Sequence, residues 1–161
     1  MSSGGARLVV YGCYVLILRV SRGKYFSIGR LGRVFIDRGL YFYVGSGFGS
    51  GGVWARVKRH LRRSKRVFWH IDYLTIDRDV SIDVVAIIPV DRGFDCESYI
   101  AGLLSSLYPV AVRGFGCSDK KGSVSHLFRC VAGSIRQCVD GLESVLRKAG
   151  LTVEIYYTTD L

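Results

Sequence analysis

The stretch from Gly39 to Arg66 limits the possible folds most, because its periodicity changes along its length. Leu40–Val44 is a short aromatic and β-branched run, which predicts a buried or half-buried strand. Gly45–Gly52 is so rich in glycine that it favours a loop whose backbone can approach a ligand closely. From Val53 the apolar residues recur four positions apart, which predicts a helix.

The predicted helix and the segment after it are strongly basic. Seven of the eleven residues from 56 to 66 are Lys or Arg, and none is acidic. Cations held this close repel one another, so the arrangement favours a polyanion as partner. Residues 1–66 carry fourteen Lys and Arg against one acid, which predicts one strongly positive side. We expect a nucleic acid, DNA first and RNA as the alternative, to contact Gly45, Lys58, Arg59, Arg62, Arg63, Lys65 and Arg66.

Length and composition favour one globular domain. The 161 residues include only two prolines, and 49% are hydrophobic. We expect a domain core over about 8–131, extended by a C-terminal helix and strand over 132–161. No apolar run approaches the roughly 20 residues that cross a bilayer, which predicts a cytoplasmic protein without membrane contact. The five cysteines are odd in number and contain no CxxC, so we expect reduced, buried thiols.

The remaining pattern predicts a mixed α+β fold, with a small central antiparallel or mixed sheet flanked by helices. Residues 67–74 alternate poorly and predict a short helix or an irregular segment. Two further helices are expected over Cys96–Leu107 and Ser134–Ala149. The other expected strands are Leu8–Val20, Tyr25–Ile28, Arg33–Ile36, Val80–Val90, Ser125–Val131 and Val153–Tyr157.

Two local motifs suggest other chemistries. Gly47–Gly52 satisfies G-x-G-x-x-G, and Asp72 follows about 20 residues later, as in a dinucleotide fingerprint. That reading predicts a nucleotide-binding protein, but it needs a second parallel strand where the basic segment lies. Cys117, His126 and Cys130 offer three metal ligands without a fourth.

A better constellation is Tyr14, Tyr43, Arg56, His60 and Glu97. The two tyrosines belong to two apolar strands, and Arg56 and His60 lie one helical turn apart on one face. Pattern alone favours a plainer interpretation, with core tyrosines and a solvated basic face.

The order of these blocks resembles the GIY-YIG nuclease superfamily from about Gly12 to Phe128. Gly12-Cys13-Tyr14 stands at the GIY position and Tyr43-Val44-Gly45 at YIG, although Gly39-Leu40-Tyr41 competes for the first motif. Arg56 and His60 match R-x-x-x-H, and Glu97 matches the metal-binding glutamate. The residues of these blocks, including GCYVLIL, WHIDYL and FGCSD, resemble an archaeal and bacterial branch of unknown function that is sometimes attached to endonuclease III. Relatives have Cys-x-Cys after FGCSD, where this chain has Lys120-Lys121-Gly122.

The resemblance implies an endonuclease that hydrolyses DNA phosphodiester bonds in repair or recombination, with Mg²⁺ or Mn²⁺ and no small-molecule cofactor. In that reading Glu97 holds the metal and Arg56 grips the scissile phosphate. Tyr43, with Tyr14 beside it, positions or deprotonates the water as a phenolate, and His60 orients Tyr43 or relays its proton. His70 and Asp72 are secondary candidates. The alternative is a non-catalytic nucleic-acid-binding module on the same scaffold.

Overall fold

A computed structural model describes residues 8–117 and 122–161 of the chain. Ser118, Asp119, Lys120 and Lys121, which follow FGC in the sequence, lie outside the described residues. The helices are α1 Gly52–Leu61, α2 His70–Thr75, α3 Cys96–Ser105 and α4 Ile135–Lys148. The strands are β1 Gly12–Val20, β2 Lys24–Ile28, β3 Gly32–Ile36, β4 Gly39–Gly47, β5 Val80–Pro89, β6 Leu127–Cys130 and β7 Glu154–Tyr157.

Five of the strands form one sheet in the order β6-β4-β1-β5-β7, and every pairing in it is antiparallel. The central strand β1 is buried at eight of its nine positions, which its continuous apolar sequence requires. The strands β2 and β3 form a separate hairpin. The predicted α+β class with a central sheet flanked by helices is confirmed. The C-terminal strand β7 pairs with β5, so the segment after residue 131 completes the same sheet.

The sheet separates two apolar clusters, because successive side chains of a strand point to opposite faces. On one face Cys13, Val15 and Ile17 of β1 pack with residues of α3 and α4. We call this the α3/α4 face. On the other face Tyr14, Leu16 and Leu18 pack with α1, α2 and the hairpin. We call this the α1/α2 face.

Some element boundaries differ from the prediction for identifiable reasons. The first strand begins at Gly12 and not at Leu8, because the Val10 carbonyl accepts a hydrogen bond from Val53 N–H at the start of α1. The strand predicted from Ser125 begins at Leu127, since the Ser125 hydroxyl bonds to the Val112 carbonyl. The ambiguous segment 67–74 consists of three residues without regular secondary structure followed by α2.

The cysteines depart from the expectation of five free thiols. All five are buried as predicted, but Cys13 is bonded to Cys96 and Cys130 to Cys138, which leaves Cys117 free. Sequence spacing gave no sign of the first pair, because Cys13 and Cys96 are 83 residues apart and meet only where α3 crosses β1. Cys130 and Cys138 are 8 residues apart and join the end of β6 to α4. Among the described residues, none of the helices is long and apolar enough to cross a bilayer.

Candidate functional site

A cavity of about 200 Å³ opens at the end of the sheet where β1 begins and β4 ends. Side chains from β1, β4, α1 and α3 meet there, although they are far apart in the sequence. The cavity contains all five members of the predicted constellation. Its lining residues are Tyr14, Tyr43, Gly45, Ser46, Arg56, His60, Trp69, Glu97 and Gly116.

Gly45 is required for the close packing of Tyr14. The two residues are partners across the β1–β4 register, and a Cβ at Gly45 would lie 2.4 Å from the Tyr14 ring. Any larger residue would therefore displace the phenol from the cavity. The same geometry decides between the two possible first motifs, because Tyr41 instead donates its hydroxyl to the Asp37 carbonyl. Tyr14, and not Tyr41, belongs to the cavity.

Tyr14 and His60 form a buried hydrogen-bonded pair, with 2.7 Å between the hydroxyl oxygen and Nε2. Burial raises the pKa of Tyr14 above its ordinary value. Burial, with the Lys65 charge added to it, lowers the pKa of His60 to about 3. At neutral pH the phenol therefore donates and the neutral imidazole accepts through Nε2. The other ring nitrogen, Nδ1, is buried and has no hydrogen-bond partner among the described residues.

Tyr43 is buried beside this pair, and burial raises its pKa well above the ordinary value. Tyr14 and Glu97 add to that increase, while Arg56 opposes it. The expected phenolate is therefore not favoured, since desolvation outweighs the attraction of the guanidinium. His60 also differs from expectation, because it bonds to Tyr14 and meets the Tyr43 ring only edge-on, at 6.1 Å between centroids.

Arg56 lines the cavity with its guanidinium over the Trp69 ring, 4.5 Å from the ring centroid. Arg59 also lies over this ring, at 4.3 Å. Such contacts fix the plane of a guanidinium and leave its N–H groups free to meet an anion. Trp69 therefore orients the cation that faces the cavity.

Part of the basic segment is neutralised by the protein itself, so not all seven of its cations need an external polyanion. Asp72 is fully buried and accepts two hydrogen bonds from Arg59, at 2.7 and 2.9 Å. Burial disfavours its charge, but the Arg59 guanidinium and the N–H groups of Trp69 and Phe68 hold the pKa of Asp72 below its ordinary value. Lys65 lies 3.8 Å from Asp72, and burial lowers the pKa of Lys65 to about 8.

The other predicted cations face solvent. Arg63 donates to the Asp77 carbonyl but remains exposed, as do Lys58, Arg62 and Arg66. Four of the six predicted nucleic-acid-binding cations are thus accessible, whereas Arg59 and Lys65 hold α1 against α2.

Glu97 lies in the first turn of α3 and reaches the cavity beside the end of β4. The Ser46 hydroxyl donates to Glu97 Oε2 at 2.5 Å. Nδ1 of the fully buried His126 lies 2.9 Å from Oε1, an ion-pair distance without the alignment of a good hydrogen bond. The disulfide between Cys13 and Cys96 joins the neighbours of Tyr14 and Glu97 along the chain.

A comparison with known protein families finds a match over most of the chain. The profile described as "Domain of unknown function DUF123" matches residues 13–148, which is most of the chain. The chain belongs to this family. No curated protein and no solved structure matches it.

The secondary candidates hold the DUF123 domain together around the cavity. His70 Nδ1 accepts a hydrogen bond from the Gly116 N–H at 2.9 Å, which ties α2 to the loop that lines the cavity. Asp72 accepts hydrogen bonds from Arg59 of α1 and from the N–H groups of Phe68 and Trp69, so it joins α1 to the segment before α2. Neither lines the cavity itself.

Within the described residues of the DUF123 domain, no group of three or more His, Cys, Asp and Glu is arranged to hold a metal ion. The trio of Cys117, His126 and Cys130 is not a site, because Cys130 is bonded to Cys138 and His126 faces Glu97. The single carboxylate of Glu97 still suits a hard divalent cation that takes its other ligands from water and a substrate phosphate.

The dinucleotide fingerprint lacks the structural context that it needs. A Rossmann unit requires a parallel β-α-β crossover, whereas the strands described in this DUF123 domain pair only antiparallel. The glycines serve packing instead. A Cβ at Gly52 would lie 2.1 Å from the Val10 carbonyl oxygen, and one at Gly47 would lie 2.5 Å from Val53.

Sequence reasoning missed four residues of the site, namely Ser46, Trp69, Gly116 and His126. Ser46 follows Tyr43 by three positions in β4 and carried no motif of its own. Trp69 belongs to the WHIDYL block, and its position beside seven cations was the available signal for a ring that stacks with arginine. His126 was noted only as a possible metal ligand. His126 precedes β6, and its approach to Glu97 in the first turn of α3 is a tertiary contact that local sequence does not encode.

Proposed function

We propose that this DUF123 domain is a divalent-metal-dependent endonuclease that hydrolyses DNA phosphodiester bonds. The observation that carries the proposal is the convergence of Tyr14, Tyr43, Arg56, His60 and Glu97, drawn from four elements, in one cavity next to exposed cations. The resemblance to GIY-YIG nucleases selects the same five residues.

The scissile phosphate is assigned to Arg56. Its guanidinium faces the cavity and is held against Trp69, so little side-chain freedom is lost on binding an anion. Two parallel N–H donors match two phosphate oxygens and favour the transition state, in which charge builds on those oxygens. Lys58, Arg62 and Arg66 remain exposed to contact neighbouring phosphates.

The attacking water is assigned to the tyrosines. The water oxygen forms the new bond to phosphorus while the bond to one ester oxygen breaks, and the departing oxygen takes up a proton from solvent. Because Tyr14 is protonated and bonded to neutral His60, it accepts the water proton only as it passes its own proton to Nε2. A bound phosphate brings negative charge close to the imidazole and raises its pKa, which makes this transfer easier. Tyr43 lies beside the pair and orients the water.

The residues present fit a single divalent cation at Glu97. Ser46 and His126 orient the carboxylate toward the cavity, and Mg²⁺ or Mn²⁺ commonly binds through one carboxylate together with water and phosphate. A cation held there would supply positive charge beside a phosphate oxygen.

A non-catalytic nucleic-acid-binding module is the second candidate. The observation that favours it is the raised pKa of both cavity tyrosines, which leaves no ionised phenol at neutral pH to serve as a ready base. In that case the same cations would bind DNA without turnover.

Plasmid nicking tests the proposal. With Mg²⁺ or Mn²⁺ the wild-type protein should convert supercoiled plasmid to the nicked form. Arg56→Ala should slow nicking by about 10²-fold or more, as expected for the loss of a transition-state donor, while DNA affinity changes little. Arg136→Ala is the matched control, because Arg136 is highly exposed on α4 and pairs only with Asp140 among the described residues. A wild type that binds DNA but never nicks it with either metal would establish the binding module instead.

A further inference from the structure

Phe68 is a large apolar side chain that the fold leaves in solvent. Its exposed fraction is 78%, and its ring meets Trp69 edge-on, with 5.3 Å between centroids. Trp69 lines the cavity and carries the Arg56 guanidinium over its ring, so Phe68 lies next to the residue that orients Arg56. The open faces of the Phe68 ring are available to a second planar group.

The backbone beneath Phe68 is held in place. The N–H groups of Phe68 and Trp69 both donate to Oδ2 of the buried Asp72, each at 2.9 Å. Arg59, which binds the same carboxylate, also donates to the Arg66 carbonyl two residues before Phe68. An exposed ring on so firmly bonded a backbone is pre-organised, so a ligand that stacks on it loses little free energy in ordering the protein.

The surroundings of Phe68 indicate the chemistry of that ligand. Arg62 and Arg66 are exposed near it in the chain, and Arg56 and Arg59 lie over Trp69. A membrane-binding surface would need several apolar side chains together, whereas the exposed ring of Phe68 follows cations in the chain and adjoins a tryptophan that carries two guanidinium groups. An aromatic ring among guanidinium groups is the combination that binds single-stranded nucleic acid, by stacking bases and tracking phosphates.

We propose that Phe68 stacks on an unpaired base next to the phosphate bound at Arg56. This inference rests on the proposed function and adds the substrate class, namely DNA with an unpaired segment at the cleavage point. In continuous duplex the faces of the bases are already stacked, so Phe68 gains a partner only where a base is unstacked.

The test measures binding in EDTA, where cleavage is suppressed, for the full-length protein and two DNAs of equal length. One is a continuous duplex, and the other carries a single-stranded flap with 2-aminopurine in its unpaired part. Phe68→Ala should weaken binding to the flap DNA about tenfold and leave binding to the duplex nearly unchanged. Phe68→Tyr, which keeps the ring, should retain wild-type affinity. Phe35→Ala, at an exposed phenylalanine on the hairpin, should change neither.

The 2-aminopurine signal gives an independent reading, because stacking should quench its fluorescence in the wild type and not in Phe68→Ala. Equal losses on both DNAs, or none on either, would overturn the stacking assignment. Preferential loss of binding to anionic vesicles would overturn it in favour of a lipid contact. A protein that shows the Phe68-dependent flap preference but never nicks DNA with Mg²⁺ or Mn²⁺ would refute only the nuclease proposal.

Discussion

The two faces of the central sheet put the same strands to different uses. On the α3/α4 face β1 contributes Cys13, Val15 and Ile17 to an apolar cluster, closed by a disulfide. On the α1/α2 face the intervening residues include Tyr14, which is just as buried but hydrogen-bonded to His60. Both faces remove large side chains from water, but the burial-driven pKa shifts of Tyr14, Tyr43 and His60 all belong to the α1/α2 face.

The difference suggests a division of roles. Polar groups that are desolvated near a cavity tend to lower stability, so a fold that keeps them needs stabilisation from elsewhere. The α3/α4 face supplies apolar burial without that penalty. Glu97 connects the two, because α3 packs on the α3/α4 face while its first turn reaches around to the cavity.

The largest expected effect on stability comes from the α3/α4 face. Phe42 is fully buried there and packs edge-on against Tyr108, at 4.9 Å between centroids. Phe42→Ala should lower the free energy of unfolding by about 3–5 kcal/mol, because it removes apolar burial and leaves a cavity. Urea denaturation measures the loss, and nicking at low temperature by the remaining folded protein should match wild type. A specific loss of nicking without destabilisation would contradict the division of roles.

A smaller effect should appear on the α1/α2 face as a dependence on pH. The pKa of His60 is about 3 in the folded protein, and its ordinary value is 6.5. As the pH falls below 6.5, His60 is therefore protonated in the unfolded chain while it stays neutral in the folded protein. This contribution to stability is present above pH 6.5 and is lost as pH falls toward 3. Between pH 7.5 and pH 5 the wild type should lose about 2 kcal/mol that His60→Gln does not.

The comparison for this test is the slope of stability against pH in the two proteins. The Gln amide oxygen can still accept from Tyr14, so the variant isolates the titration from the hydrogen bond. Asp72 stays ionised in this window, since its pKa is lowered from an already acidic value. Parallel curves for wild type and His60→Gln would show that His60 is not buried in its neutral form.

The smallest stability effect is expected for Ser46→Ala at the cavity edge. Loss of the hydrogen bond to Glu97 should lower the free energy of unfolding by about 1 kcal/mol. Ser46→Ala should nevertheless raise the Mn²⁺ concentration needed for half-maximal nicking about tenfold, because the Glu97 carboxylate loses the hydroxyl that orients it. Ser105→Ala, at an exposed helical hydroxyl bonded to Gly102, is the control. An unchanged Mn²⁺ requirement would remove Ser46 and Glu97 from the proposed metal site.

Local sequence was sufficient to predict most of the helices and strands, but it predicted fewer of the contacts that form the site. The apolar runs at β1 and β5 and the helical spacing of α1, α3 and α4 report burial directly, so those elements were predicted. The gathering of Tyr14, Tyr43, Arg56, His60 and Glu97 followed from a resemblance, because pattern alone favoured core tyrosines. The nuclease activity and the metal remain predictions.

What escaped prediction depends on contacts between distant segments. The run of cations indicated repulsion, yet Asp72 lies 13 residues beyond Arg59 and neutralises it. The disulfide between Cys13 and Cys96, the Ser46–Glu97 bond and the His126 contact each join residues that only the tertiary fold makes neighbours. The pKa of the tyrosines was also misjudged, since the expected attraction of Arg56 is weaker than the cost of burying a phenolate.

The bond between Cys13 and Cys96 has a consequence for how the cavity can move. Tyr14 and Glu97 each follow one of these cysteines in the chain. The disulfide therefore ties the backbone next to Tyr14 to the backbone next to Glu97. If α3 frays or tilts, its first turn remains anchored to the central strand. The bridge therefore limits how far the phenol and the carboxylate can separate, so we expect any widening of the cavity on the side of α1 and the Trp69 segment.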